Sequence, residues 1–229
     1  MSIKDGKDYL YLIWKSNVNG RQYIVGQLTK NGQYEFQYCR EINEALKAGF
    51  KPLISFENLE RVYTCNQLFP VFASRLPDRK RKDMDKILKK YGLKEFDAYQ
   101  LLKRSGAKLP IDNIYFIDPI LDFDKEFEKC FYLAGVRYYL GCEGKECVNA
   151  ISVTRGDEVF LKYDRNNEND ANAISVVNEN DIVLGYVPRY YTEAFTRFME
   201  QNRILSCHVA NVDKSQMCDE CIMVLIKIS

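Results

Sequence analysis

The stretch Asp164-Arg165-Asn166-Asn167-Glu168-Asn169-Asp170-Ala171-Asn172-Ala173-Ile174 decides how the second half of the chain is read. Asn and Asp side chains bond their own backbone two residues on, so their density here writes a turn. From Ala173 the run becomes small and β-branched through Val177, which suits a buried strand. Residues 158–163 before the turn and 182–187 after it are β-like as well. An amphipathic helix over 191–201 follows, with Ala194, Phe195, Phe198 and Met199 on one face. Two further strands are expected over 204–212 and 222–228. With 131–139 as the opening strand, six or so short strands and one helix predict a small closed or partly open β-barrel.

Working toward the N-terminus, the pattern breaks around Asp118-Pro119-Ile120-Leu121-Asp122. Residues 1–119 are therefore expected to form one domain, 120–129 a linker and 130–229 a second domain. The first domain opens with three strands, over 9–14, 23–28 and 34–38. Asn19-Gly20 and Asn31-Gly32 between them are strong hairpin dipeptides. Three helices are expected next, around 67–74, 81–91 and 96–104. In the second, Met84, Ile87, Leu88 and Tyr91 fall at i, i+3, i+4 and i+7. Gly92 suits its C-terminal cap, and Gly106 ends the third. The first domain is thus an α+β module, an antiparallel meander plus three helices.

Composition bounds the function. In 229 residues, 46% are apolar and 28% charged, as in ordinary globular proteins. No apolar run approaches the roughly 20 residues of a membrane span, and Met1-Ser2-Ile3-Lys4-Asp5-Gly6 lacks a secretion signal's apolar centre. A cytoplasmic, bacterial-type protein with no membrane partner is expected. The net charge of +1 excludes a global polycation. Charge is unevenly spread, however. Residues 130–229 hold 10 Lys and Arg against 14 Asp and Glu, whereas residues 75–108 hold 12 against 5. The densest piece is Arg79-Lys80-Arg81-Lys82, which reads first as a solvated face.

Eight cysteines without a signal sequence are expected to be reduced thiols. Cys218 and Cys221 have knuckle spacing, and Cys142 and Cys147 would complete a structural zinc site if the first and last strands of the barrel are neighbours. Two tight pairs are lacking, so no cofactor is expected. The single histidine, His208, excludes chemistry that needs two. Its neighbour Cys207 would point to the opposite face of a strand. Asp122 and Asp124 sit in the expected linker and read as solvated acids. No nucleophile elbow or deaminase pattern occurs, and no enzyme activity is expected.

Four motifs in order resemble the HIRAN domain: Gly135-Val136-Arg137-Tyr138-Tyr139, Gly156-Asp157-Glu158-Val159, the Asn-rich stretch through Asp170-Ala171-Asn172-Ala173-Ile174, and Gly185-Tyr186-Val187-Pro188-Arg189. The resemblance covers about 100 residues and implies a modified OB-like barrel that binds single-stranded DNA at a free 3′ hydroxyl. It assigns the binding site to Arg137, Tyr138, Asn167, Asp170, Tyr186 and Arg189. These side chains suit the task. Arg137 and Arg189 offer donors to phosphates, and Tyr138 offers a stacking face, with Tyr186 beside Arg189. Asp170 would accept from a terminal hydroxyl and repel a phosphate, while Asn167 is a polar contact or a turn former. Two departures stand out: Asn169 replaces a second aromatic, and the domain is net acidic.

The first half resembles the N-terminal subdomain of HipA-type toxin kinases. The resemblance rests on Val25-Gly26-Gln27-Leu28-Thr29, Tyr34-Glu35-Phe36-Gln37-Tyr38, Leu68-Phe69-Pro70-Val71-Phe72, Arg75-Leu76-Pro77-Asp78-Arg79 and Phe96-Asp97-Ala98-Tyr99-Gln100-Leu101-Leu102. The family's catalytic lobe is missing, which implies a detached interaction module with a protein partner. The expected function is binding of single-stranded DNA or 3′ DNA ends. The alternatives are a non-catalytic adaptor of a toxin-antitoxin-like, defence or repair system with a degenerate HIRAN site, and a hydrolase or nuclease component acting with a partner.

Overall fold

The computed structural model describes residues 2–140, 153–168, 170–214 and 220–229. The chain divides into two compact units, Met1–Asp122 and Phe123–Ser229.

Among the described residues, the first unit is built on a six-stranded antiparallel sheet. Strands β1 (Ile3–Lys4), β2 (Lys7–Lys15), β3 (Gln22–Asn31) and β4 (Gln33–Tyr38) run in sequence order. The expected meander is thus present, turned at Asn31-Gly32 where Gly32 has φ +72°. Helix α1 (Ile42–Lys47) and a 3-10 turn (Ile54–Phe56) follow, and neither was legible in the sequence. Strand β5 (Tyr63–Cys65) adds to β4. Helices α2 (Pro70–Ala73), α3 (Met84–Lys90) and α4 (Ala98–Ser105) stand where three helices were expected, somewhat shorter. Asp97 caps α4 by accepting from the Gln100 N–H at 2.9 Å. Strand β6 (Ile114–Ile117) returns to pair with β2.

The Leu68-Phe69-Pro70-Val71-Phe72 motif explains the core of this unit. Pro70 takes the first turn of α2, where its missing N–H is harmless. Phe69 and Phe72 then pack on Phe56, with ring centroids at 5.1 and 5.4 Å, and Phe56 packs on Phe36 at 4.4 Å. Arg75, one helical turn on, is 91% buried and clamps the far side. It bonds both Asp112 oxygens, at 2.5 and 2.9 Å, and the Ala107 and Ile114 carbonyls. Lys103 of α4 likewise reaches Asp8 of β2 at 2.9 Å.

The second unit has β7 (Phe127–Tyr132), a short helix α5 (Val136–Tyr139), β8 (Phe160–Tyr163), β9 (Ile174–Val177), β10 (Val183–Tyr186), helix α6 (Arg189–Glu200), β11 (Ile204–Val212) and β12 (Ile222–Ile228). Among the described residues these make two antiparallel sheets, ordered β10-β9-β8 and β11-β12-β7. Two isolated bridges join them, Ala134 to Tyr186 and Glu158 to His208. The first seam has a reciprocal hydrogen-bond pair, 2.8 Å each way, and Val159 N–H to Cys207 O at 3.0 Å extends the second. The cycle β7-β12-β11-β8-β9-β10-β7 is therefore complete, and the unit is the expected barrel. Helix α6 lays Tyr191, Phe195 and Phe198 against Phe131 and Phe127 of β7.

One local reading is corrected. Residues 131–139 are not a single strand, because β7 ends at Tyr132 and Gly135 turns into the left-handed region at φ +73°. The chain then makes one helical turn, α5. Gly185 makes this possible from the other side of the seam. A Cβ there would stand 2.8 Å from the Ala134 carbonyl oxygen, so the close approach of β10 requires glycine.

No helix among the described residues is long and apolar enough to cross a membrane.

Candidate nucleic-acid interface

The Asn-rich stretch folds as a chain of side-chain hydrogen bonds that begins at Asp164, at the end of β8. Asp164 Oδ2 accepts from the Tyr186 hydroxyl at 2.7 Å and from Asn167 Nδ2 at 3.1 Å. Asn167 Oδ1 in turn accepts from the Asp170 N–H at 3.1 Å. Asp170 Oδ1 accepts from the Asn172 N–H at 3.0 Å, an Asx turn that delivers the chain into β9. Asp170 Oδ2 faces the Arg189 guanidinium, with Nε at 3.7 Å. One β8-to-β9 loop thus holds Asn167 and Asp170 against Tyr186 and Arg189 of the β10-to-α6 connection.

Arg189 is the first residue of α6, after Pro188. That is the positive end of the helix dipole, where a cation is unfavourable and an anion favourable. Asp170 offsets the arginine there. The pair is longer than a hydrogen bond, and both side chains keep some exposure, 33% for Arg189 and 24% for Asp170. The arrangement leaves the carboxylate one turn-bound oxygen and one facing a cation.

Tyr186 is held from two sides. Burial raises its hydroxyl pKa, reinforced by hydrogen bonding with Tyr139 and with Asp164. The same Tyr186 hydrogen bond, with Asn167 second, holds the Asp164 carboxyl below the ordinary range. Its ring packs on Tyr139, with centroids 5.0 Å apart and planes at 47°. Tyr186 is therefore a braced platform whose hydroxyl is already donated.

Arg137 and Tyr138 lie on α5. Its one helical turn buries Val136 and exposes Arg137, Tyr138 and Tyr139 together, with Tyr138 83% exposed. A strand would have alternated them. The structure thus gathers Asn167, Asp170, Tyr186 and Arg189 through a chain of contacts in which Asp164 links Asn167 to Tyr186. It joins Tyr138 to them only through its neighbour Tyr139, and it puts Arg137 on the same exposed turn. Two residues missed in the sequence reading belong to the cluster, Asp164 and Tyr139. Both stand inside the quoted motifs, and the glycine before α5 was the available signal for Tyr139. Asn169, the departure noted in the sequence, lies outside the described residues.

Of the zinc candidates, Cys142, Cys147 and Cys218 also lie outside the described residues. Strands β7 and β12 are indeed neighbours, and Cys221 is buried just ahead of β12. Among the described residues no three His, Cys, Asp or Glu side chains cluster to hold a metal ion. Cys207 is buried in β11, and burial pushes its thiol up to about 12. At neutral pH it keeps its proton and is a poor nucleophile.

A β-barrel closed by two seams, with a polar and aromatic cluster on its loops, defines the second unit. Residues 129–219 match the family model of the HIRAN domain, and residues 17–110 match that of the HipA N-terminal domain. Both matches fall on the stretches whose motifs carried those resemblances. Among solved structures the chain is similar to the HIRAN domain of human HLTF, at 22% identity over 44% of this chain and 74% of that one, with a TM-score of 0.34. It is also similar to a protein from Lactobacillus plantarum, at 23% identity over 46% of this chain and 100% of that one, with a TM-score of 0.33. No curated protein matches it.

Proposed function

We propose that this protein binds DNA through the loops of its barrel, recognising a single-stranded or recessed end that carries a free 3′ hydroxyl. The HIRAN match over residues 129–219 supports nucleic-acid binding. The finer reading rests on one observation, the carboxylate of Asp170 set against the guanidinium of Arg189 at 3.7 Å. A terminal hydroxyl would donate to Asp170 Oδ2, while Arg189 and the α6 N-terminus would take the phosphate one nucleotide in. A 3′ phosphate would bring roughly two negative charges against the carboxylate and be rejected. Tyr138, 83% exposed, would stack on the terminal base. In this reading the protein is a binder without chemistry of its own, and the HipA N-terminal domain is its protein-interaction module.

The test compares fluorescent oligonucleotides ending in a 3′ hydroxyl or a 3′ phosphate, titrated with the full-length protein. Wild type should prefer the hydroxyl, and Asp170→Ala should reduce that preference. Arg189→Ala should weaken both and lower the salt dependence by about one phosphate's contribution. Equal binding of the two ends, or none at micromolar protein, would overturn end recognition. The excess of acidic residues in 130–229 favours a second reading, a protein-interaction adaptor, which would then take first place.

A further inference from the structure

Lys80, Lys82, Lys86, Lys89, Lys90 and Lys94 fall within 15 residues of the first unit, and all six are exposed. Five cations elsewhere in this unit are matched: Lys7 with Glu35, Arg21 with Glu44, Lys30 with Asp97, Arg75 with Asp112, and Lys103 with Asp8. Within the stretch itself Arg81 uses Asp83, at 2.8 Å. Among the described residues no carboxylate comes within ion-pair distance, 4.0 Å, of the six lysines.

Helix α3 carries three of them on its outer side. Met84 and Leu88 are buried, so the apolar face of α3 is occupied by the core, and Lys86, Lys89 and Lys90 face solvent. Lys86 and Lys90 are one turn apart, about 6 Å along the axis. Like charges at this spacing weaken a helix, and among the described residues no carboxylate relieves them, Lys90 having only the Tyr91 ring, its centroid 5.4 Å from the ammonium. An external polyanion would.

We propose that this lysine face is a second binding site, taking the sugar–phosphate backbone of nucleic acid without reading sequence. Its surroundings choose among polyanions. No exposed large apolar side chain among the described residues lies between Val62 and Ile111. The buried centre of a protein interface is more apolar than the surface around it, and a helix that inserts into a membrane surface does so through an apolar face. A phosphate backbone requires neither, only cations close enough together to displace condensed counterions. Lysine supplies compact point charges, suited to following a phosphate backbone.

Closed circular single-stranded DNA is the probe, because it offers no end to the barrel site and so tests this face alone. Full-length protein is titrated into it between 50 and 200 mM KCl. Compared with wild type are Lys82→Glu/Lys86→Glu/Lys90→Glu, its neutral counterpart Lys82→Gln/Lys86→Gln/Lys90→Gln, and a control with the charge change of the first, Lys4→Glu/Lys47→Glu/Lys51→Glu. Circular dichroism establishes folding, and the Gln variant carries the test if the Glu variant unfolds. Wild type should bind, and the Gln variant should lose about 2 from the log–log salt slope, about 0.7 for each phosphate contact. It should also bind at least tenfold more weakly at 50 mM, while the control changes little. The proposal is overturned if wild type does not bind the circle, if the control loses as much as the α3 variants, if polyglutamate displaces the DNA at equal charge, or if phosphatidylserine vesicles are bound more tightly than the DNA.

Discussion

Arg75 in the first unit and Arg189 in the second both stand against an aspartate, and the two pairs differ in kind. Arg75 is 91% buried, meets both oxygens of Asp112 at 2.5 and 2.9 Å, and also donates to two carbonyls. Arg189 keeps 33% exposure and meets one oxygen of Asp170 at 3.7 Å. A bidentate pair whose arginine is buried and bonded to two carbonyls as well exchanges partners only at a high free-energy cost, so it serves the fold. A longer, partly wet pair has little to lose when a ligand supplies a hydroxyl to one side and a phosphate to the other. Geometry separates the roles of two arginines that look alike in sequence.

The largest effect expected is separation of the two units. Residues 118–126 contain no helix or strand, and Asp124, Lys125 and Glu126 are exposed. Limited trypsin digestion should cut at Lys125 and leave two resistant pieces. A single uncut core would remove the basis for comparing them.

Next is Arg75→Ala. Asp112 is 31% exposed and can take up water once the guanidinium is gone. The loss should therefore fall below the roughly 3–5 kcal/mol of a fully buried pair, at about 1–3 kcal/mol, and urea unfolding should report it. Binding of the 3′-hydroxyl oligonucleotide should be unchanged while the protein stays folded. The same clamp predicts a pH dependence. The Arg75 hydrogen bonds lower the Asp112 pKa from its ordinary 3.8. The unfolded chain therefore binds the proton first, and stability rises with pH through this window. The contribution is complete above about pH 5 and is lost as pH falls through the lowered pKa. Arg75→Ala should flatten that part of the acid limb, and an unchanged limb would show that Asp112 draws nothing from the pair.

Tyr138→Ala inverts the pattern. Its ring is 83% exposed, so stability should move by no more than about 0.5 kcal/mol. Affinity should fall by about 1–3 kcal/mol, roughly 5- to 150-fold. Loss of stability without loss of affinity would make Tyr138 structural after all.

Asp164→Asn should have a modest effect on stability and still disturb the site. Tyr186 and Asn167 would lose a charged acceptor, and the loop that presents Asp170 would lose its anchor. The hydroxyl-over-phosphate preference should narrow with the unfolding midpoint only slightly lowered. A preference equal to wild type would exclude Asp164 from positioning the site.

Much of this was legible in the chain itself, because the signals were local. Alternating apolar residues and Asn-Gly turns marked β2, β3 and β4, helical spacing marked α3 and α6, and the Asn-rich stretch marked the loop that carries Asp170. What tertiary structure alone decided involves partners far apart in sequence. Strand β6 pairs with β2 across some hundred residues, and β5 is three residues long, too short for a periodic pattern. The barrel closes through two bridges between residues about 50 apart, at seams that no local propensity encodes. One of them forces the backbone together at Gly185, where a side chain would not fit, and sets the turn at Gly135 that exposes Tyr138 and Tyr139 side by side. Composition and spacing named the residues able to bind. Which of them meet, and which are taken up by the fold, followed from long-range pairing, since hydrogen-bond geometry exists only once distant strands are in register.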